Sequence, residues 1–401
     1  MVRSLTLGDT GMTHDRRPVP TLAKVAIGVG AGLVTIGLAA GLGAAALSVH
    51  VARKVVAVPR RREEDIRILG VTTSTITLSS TDDTRTPGRY GLFFSQGAGH
   101  IRLGDIRSVS EGSVTRDLLA IDFGVPRPGL RARFSGWFYL DPRELALEVE
   151  DVGIDTPIGA APAWLVRAAD PTTDWVIHVH GRGVTRGETI RGVSVFREAG
   201  YNSLLISYRN DGIAPDSADR RFALGGTEWR DLEAALDFAI DRGAKRVLLM
   251  GWSMGGAISL QGAIQSRHRE LFRGIVLDSP VVDWRSVLEF QAASMSVPLP
   301  IRRNVLQLIG KRWGKLFTGQ DEPIDLDSLD LVTRAQELRV PTLLLHSADD
   351  GYVPADASRA LALLRPDIVT FEEFTVARHA KLWNYDEERW NRVIRTWLDA
   401  L

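Results

Sequence analysis

The stretch Gly251-Trp252-Ser253-Met254-Gly255-Gly256 constrains this chain more than any other. An apolar run, 247–250, comes directly before it, and a segment rich in Ala, Ile and Leu follows. A serine on so sharp a strand-to-helix turn takes a strained backbone, so the residues two before and two after it must be small. Gly251 and Gly255 meet that demand. The Ser253 hydroxyl then stands above a strand end, and the first N–H groups of the next helix face any negative charge that develops there. Such a turn needs a parallel sheet beneath it. Short, nearly continuous apolar runs at 175–179, 203–207, 246–250, 274–278 and 341–346 supply the strands. Residues 189–199, 228–242 and 254–266 read as the helices between them; in the second, Leu232, Ala235, Leu236 and Ala239 share one face. Alternation of this kind predicts an α/β fold with helices on both faces of a mostly parallel sheet.

Composition closes off several chemistries. The 401 residues carry 49 basic and 49 acidic side chains, so no net charge draws the chain toward nucleic acid, and no such partner is expected. With no cysteine, disulfides, thiolate metal sites and a cysteine nucleophile are excluded. Gly181, Gly183 and Gly187 lack the following Gly-Lys-Ser/Thr of a phosphate loop, and no cofactor is expected. His178 and His180 alternate onto one strand face, but no further ligands at useful spacing join them. Structural hydrogen bonding is the reading preferred to a metal site.

The N-terminus divides differently. Residues 25–51 contain no charged side chain. As helix, 25–49 would be about 37 Å long, enough for a hydrocarbon core of about 30 Å and too long for a secretory signal. The chain is therefore read as a tail (1–24), a single-pass membrane helix (25–51) and a basic linker (52–65); the competing readings are a buried Gly/Ala-rich helix and a loose export signal. Arg53, Lys54, Arg60, Arg61, Arg62 and Arg67 outnumber Arg16, Arg17 and Lys24, which puts the C-terminal part on the cytoplasmic side. The spacing of Gly28 with Gly32 and of Gly37 with Gly41 suits self-association. Residues 66–145 predict a small β-rich module, with strands over 71–78, 90–94, 101–103, 118–123 and 130–140. Residues 146–401 hold the α/β part, interrupted at about 280–335 by helices over 284–290 and 304–317 that are expected to form a lid.

A serine hydroxyl needs a base, and the base needs a group to orient it. His379 follows the last apolar strand (368–374) and precedes the C-terminal helix (387–398). Asp349 and Asp350 both lie just beyond the strand at 341–346. The order serine, aspartate, histidine is the one expected when a triad is mounted on a parallel sheet.

Here residues 146–401 resemble the α/β-hydrolase superfamily. More narrowly they resemble the serine hydrolases of the BEM46 or S33-aminopeptidase-like group, which includes membrane-attached bacterial members. The group's acid sits in a pattern like H-G-x-x-D-x-x-V-P. His346-Ser347-Ala348-Asp349-Asp350-Gly351-Tyr352-Val353-Pro354 aligns it on Asp350, with Ser347 in place of the glycine. Arg378 stands where glycine usually precedes the histidine. His180-Gly181-Arg182-Gly183 resembles the oxyanion loop, which implies that the backbone N–H groups of Arg182 (alternatively Gly183) and Met254 hold the oxyanion. The Arg182 side chain is read as solvated, with an acidic substrate group as the alternative, and Tyr208-Arg209-Asn210 as loop architecture. The resemblance implies a serine hydrolase with the triad Ser253, Asp350 and His379; the apolar insertion and the membrane helix point to a small acyl ester or lipid-like substrate. A membrane-bound peptidase, with Asp283 or Glu289 receiving a substrate amino group, is the first alternative. A catalytically silent, membrane-tethered binding module is the second.

Overall fold

The computed structural model describes residues 41–59 and 62–401. Period-two alternation builds its first unit. Six antiparallel strands, β1 (Ile66–Val71), β2 (Thr75–Ser79), β3 (Tyr90–Phe94), β4 (Gly99–Ser110), β5 (Ser113–Phe123) and β6 (Arg131–Ser135), pair in the order β1-β2-β5-β4-β3-β6. The pairing of β6 with β1 closes them into a barrel. Ile66 and Ile68, Ile76 and Leu78, Leu92 and Phe94, and Ile101 and Leu103 point inward. Closure leaves no open edge for another chain to extend. The run 71–78 is two strands rather than one, because the Thr72 hydroxyl accepts the N–H of Thr75 at 2.9 Å and turns the chain. The last strand likewise stops at Ser135 instead of continuing to 140. A wholly buried arginine, Arg116, ties down the loop between β2 and β3. Its guanidinium donates to the carbonyls of Thr84, Thr86, Gly88 and Gly104.

The second unit is an eight-stranded sheet: β7 (Val149–Thr156), β8 (Gly159–Val166), β9 (Asp174–Val179), β10 (Asn202–Ile206), β11 (Arg246–Trp252), β12 (Phe272–Asp278), β13 (Thr342–Ser347) and β14 (Val369–Phe374). Their spatial order is β14-β13-β12-β11-β9-β10-β8-β7. All neighbours from β10 to β14 are parallel; β8 pairs antiparallel with both β10 and β7, so it alone runs against the other strands. Helix α1 covers residues 41–56; α2 (Val193–Glu198), α3 (Trp229–Asp241) and α4 (Met254–Gln265) follow in the strand crossovers. Between β12 and β13 lie α5 (Trp284–Ser294), α6 (Leu299–Gly310) and the short α7 (Lys315–Thr318). The helix expected at 304–317 begins five residues earlier and breaks beyond Gly310. Gly314 folds back so closely on Leu308 that a Cβ there would lie 2.0 Å from the Leu308 carbonyl oxygen. Helices α8 (Asp356–Leu364), α9 (Leu382–Tyr385) and α10 (Glu387–Asp399) complete the chain. Buried residues Val176, Leu248, Val276 and Leu343 form one side of the sheet's core, and Ile177, Leu249, Ile275 and Leu344 the other. This two-sided burial is why the strands read as continuous apolar runs.

Helix α1 changes the reading of the N-terminus. Ser48, Ala52 and Val56 are buried on one face, and Val51 and Val55 pack beside them against the larger unit. Residues 41–51 of the expected membrane span are therefore occupied, on that face, with protein. Residues 52–56 of the expected linker are packed helix. A charge-free run of Ala, Val and Leu suits a protein core as well as it suits lipid, and the sequence alone does not separate the two. After the helix, Ala57 bridges to Arg221, and Val56 accepts the N–H of Phe222. Among the described residues no helix is long and apolar enough to cross a membrane. Residues 25–40, which carry most of the expected span, lie outside the described residues, as do Arg60 and Arg61.

Candidate active site

The turn between β11 and α4 has the strain its sequence requires. Ser253 has φ +53° and ψ −117°, a conformation that only a fully determined environment holds for a residue with a side chain. Its N–H donates to the Asp278 carbonyl at 3.1 Å, and its own carbonyl accepts from Gly256 and Val281. Around it there is no room. A Cβ on Gly251 would lie 2.6 Å from the Gly255 carbonyl oxygen, and one on Gly255 would lie 2.1 Å from that of Val179.

Three loops at the carboxyl ends of the strands bring the other candidates to Ser253. His379 Nε2 lies 3.0 Å from Ser253 Oγ, and His379 Nδ1 lies 2.7 Å from Asp350 Oδ2. The second oxygen of Asp350 accepts the N–H groups of Tyr352 and Val353, both at 2.8 Å. Burial pushes the Asp350 carboxyl up, but His379 and His346 beside it outweigh that and hold it well below the usual carboxylate range. Asp349 points elsewhere: it is partly exposed and pairs with Arg378 at 3.2 Å. The spacing from His346 to Val353-Pro354 thus has a physical counterpart, because His346 Nε2 lies 3.3 Å from Asp350 Oδ2 and 3.0 Å from the Val353 carbonyl.

Met254 opens α4, so its N–H is at the positive end of the helix beside the hydroxyl. On the opposite side, Gly181 approaches so closely that a Cβ would lie 3.3 Å from that of Ser253. Its N–H donates to Glu188 Oε2 at 2.9 Å, which leaves the next N–H, that of Arg182, uncommitted among the described residues. The Arg182 side chain is not solvated. It donates to the carbonyls of Lys54, Val55 and Ala57 and lies over the Phe222 ring, closing the C-terminal end of α1. His178 is buried against Ser203 Oγ, and burial pushes its imidazole down to about 3, so it is neutral at physiological pH. His180 sits between its neighbour's carbonyl and Asp211, stacked on Tyr208 at 4.1 Å. Tyr208 in turn donates to the Gly181 carbonyl at 2.8 Å, so this tyrosine supports the loop at 180–183.

With this arrangement in hand, comparison with known proteins decides the family. The profile of the alpha/beta hydrolase family matches residues 176–394, more than half of the chain. The chain belongs to the alpha/beta hydrolase family. Its barrel matches a domain of unknown function, DUF8805, over residues 67–135. Among solved structures, the esterase Pf2001 of Pyrococcus furiosus is 18% identical with a TM-score of 0.50, covering 65% of this hydrolase and 94% of the esterase. The esterase RhEst1 of Rhodococcus sp. ECU1013 is 17% identical with a TM-score of 0.45, covering 63% and 99%. No curated protein matches.

Sequence reasoning missed the parts of this alpha/beta hydrolase that join its loops. Arg191, wholly enclosed, donates from Nε to the Glu188 carbonyl and from Nη1 to the Ala380 carbonyl, linking the loop behind Gly181 to the one carrying His379. Asp278 accepts the indole N–H of Trp390 at 3.0 Å, and burial raises its carboxyl. Neither residue lies near a motif, so no local signal marked them. The barrel contributes too. His379 is flanked by two residues in left-handed backbone, Arg378 at φ +62° and Ala380 at φ +51°. Asp83, in the loop that Arg116 ties down, pairs with Arg378 at 3.4 Å and with Lys381 at 3.1 Å. Partly exposed pairs of this kind add about 1 kcal/mol or less to stability, so Asp83→Ala should barely move the melting temperature. It should still lower kcat by about threefold to tenfold, because the loop holding the base loses its clamp. Steady-state kinetics with a thermal melt checks this, and an unchanged kcat would free the barrel of that role.

Proposed function

We propose that this protein is a serine hydrolase that cleaves a carboxylic ester. The observation that carries the reading is His379, within hydrogen-bonding distance of both Ser253 Oγ and Asp350 Oδ2. In the forward step Ser253 Oγ attacks the acyl carbonyl carbon as its proton passes to His379 Nε2. Asp350 accepts the proton on Nδ1 as a hydrogen bond, fixes the tautomer and stabilises the imidazolium. The carbonyl oxygen becomes an oxyanion between the N–H groups of Met254 and Arg182, each of which would supply about 3 kcal/mol. Collapse of the tetrahedral species breaks the ester C–O bond, and His379 returns the proton to the leaving alkoxide. Water, deprotonated by the same histidine, then releases the acyl group from Ser253.

The similar fold of the esterase Pf2001 favours an ester over other acyl bonds. The peptidase alternative loses one of its two candidate acids. Asp283 is spent capping α5, accepting the N–H groups of Arg285 and Ser286. Attachment to a membrane through residues 25–40 belongs to the same proposal, supported by their charge-free sequence. The insertion carrying α5 to α7 is the candidate lid. The deciding experiment is fluorophosphonate labelling of the full chain beside Ser253→Ala. Labelling and 4-nitrophenyl ester turnover should both disappear in the variant, the latter by more than about 10⁴-fold. A folded wild-type protein that takes no label would end the proposal.

A further inference from the structure

A cleft of about 470 Å³ opens between the barrel and the oxyanion loop. Phe93 and Arg133 of the barrel, Trp137, Arg62, and Gly183 and Asp211 of the larger unit border it. It lies on the oxyanion side of the nucleophile: Gly183 follows Arg182, and Glu188, whose charge both arginines feel, holds the N–H of Gly181 beside Ser253. Two facts single the cleft out. Arg62 and Arg133 are half-buried, yet among the described residues neither guanidinium forms an ion pair or donates a hydrogen bond. Arg133 has only the face of Phe93, 4.7 Å from its guanidinium. The acids on the rim are already committed. Glu64 accepts the N–H of Gln96 at 2.7 Å, and Asp211 holds His180 and the N–H groups of Ile213 and Ala214.

Two like charges set side by side in a partly desolvated cleft repel each other and lack the acceptors their donors require. Burial, aided by the neighbouring Arg62, pulls the Arg133 guanidinium down to about 10. Elsewhere among the described residues half-buried arginines find acceptors, Arg102 in Asp122, Arg359 in Glu373 and Arg302 in the Val297 carbonyl. Because each guanidinium is a planar fork of donors, the group it fits best is a carboxylate or a phosphate. Glu64 and Asp211 on the rim limit how much further negative charge the cleft tolerates, so a singly charged carboxylate suits it better than a dianion.

We propose that this cleft receives a carboxylate carried by the substrate, gripped by Arg133 and Arg62. The preferred esters are then those with an acidic arm, such as the monoesters of short dicarboxylic acids. This inference rests on the hydrolase reading and gives the barrel a part in substrate selection. Arg133 and Arg62 are specificity residues in this scheme and touch none of the bonds that break.

The test compares the 4-nitrophenyl monoesters of succinic, glutaric and adipic acids with neutral 4-nitrophenyl esters of matched chain length. It uses the full chain and its Arg133→Gln, Arg133→Lys and Arg62→Gln variants. Arg133→Gln should raise KM for the best acidic ester by about tenfold or more and leave its kcat and the neutral esters within about twofold, with partial recovery in Arg133→Lys. Equal changes in both ester series, or none in either, overturn the proposal. Calorimetric titration of glutarate separates this inference from the hydrolase reading. Glutarate binding that weakens in Arg133→Gln supports the cleft even if no ester is turned over, in which case the hydrolase reading alone falls. Absence of glutarate binding in a protein that turns over neutral esters removes the cleft alone.

Discussion

Asp350→Asn is expected to lower kcat by about 10⁴-fold while the protein stays folded. The argument rests on which atom must face which. One oxygen of Asp350 accepts two backbone N–H groups, from Tyr352 and Val353, so the asparagine carbonyl is forced into that position. Its NH2 group then faces His379 Nδ1 across the 2.7 Å contact. A donor there drives the imidazole proton to Nε2, where it opposes the Ser253 hydroxyl instead of receiving its proton. Asp349→Asn, which changes only a partly exposed partner of Arg378, should stay within about threefold of wild type. Initial rates and the rate of fluorophosphonate labelling check both, and a larger loss in Asp349→Asn would reverse the assignment. The same carboxylate makes a prediction for pH. Because it is held below the usual range in the folded protein, its stabilising contribution is present at neutral pH. That contribution drains away as the pH falls below about 4, the ordinary aspartate value, and Asp350→Asn should flatten this part of the acid unfolding curve.

Gly255→Ala should cost at least about 4 kcal/mol, more than a single methyl group costs almost anywhere else. The new Cβ would sit 2.1 Å from the Val179 carbonyl oxygen and 2.6 Å from that of His180. Both belong to the backbone at the end of β9, flanked by β10 and β11 in the middle of the sheet, so neither atom can swing aside. Relief requires α4 to lift from the sheet, which drags Ser253 from His379. Gly153, in the edge strand β7, supplies the control. Nothing lies within 4 Å of its added Cβ, and Gly153→Ala should change stability by no more than about 0.5 kcal/mol. Urea midpoints and soluble yield read out both variants. A Gly255→Ala protein with the wild-type midpoint would show that the contact is soft.

What could be read in advance follows from where each determinant lies along the chain. The nucleophile turn is local: six consecutive residues encode the strain, the space and the helix that follows. The parallel sheet was legible because burial on both faces leaves a continuous apolar run, as at β9, β11 and β13. His379 and the pair Asp349 and Asp350 stood out through their positions after strands, and the resemblance to the hydrolase pattern singled out Asp350. Closure of the barrel did not, because the pairing of β6 with β1 joins residues more than sixty apart and leaves no mark on either strand's pattern. The Arg182 side chain misled for the same reason: its partners at Lys54, Val55 and Ala57 are backbone carbonyls, which no side-chain pattern advertises. Arg191 and Asp83 act across comparable distances.

The grip of the barrel on the His379 loop sets an order of events at the ribosome. Folding units generally form as they emerge, N-terminal first. The barrel has all its strands once Ser135 has been made, and it is then a finished surface presenting Asp83 and the Arg89 carbonyl. The segment that reaches them, Arg378 to Asn384, is translated long after Ser135. A nascent chain can therefore build the turn at Ser253 before His379 is in place. The seat for His379 is thus complete before His379 itself is made, and under the proposed mechanism a chain that stops short of it lacks its base.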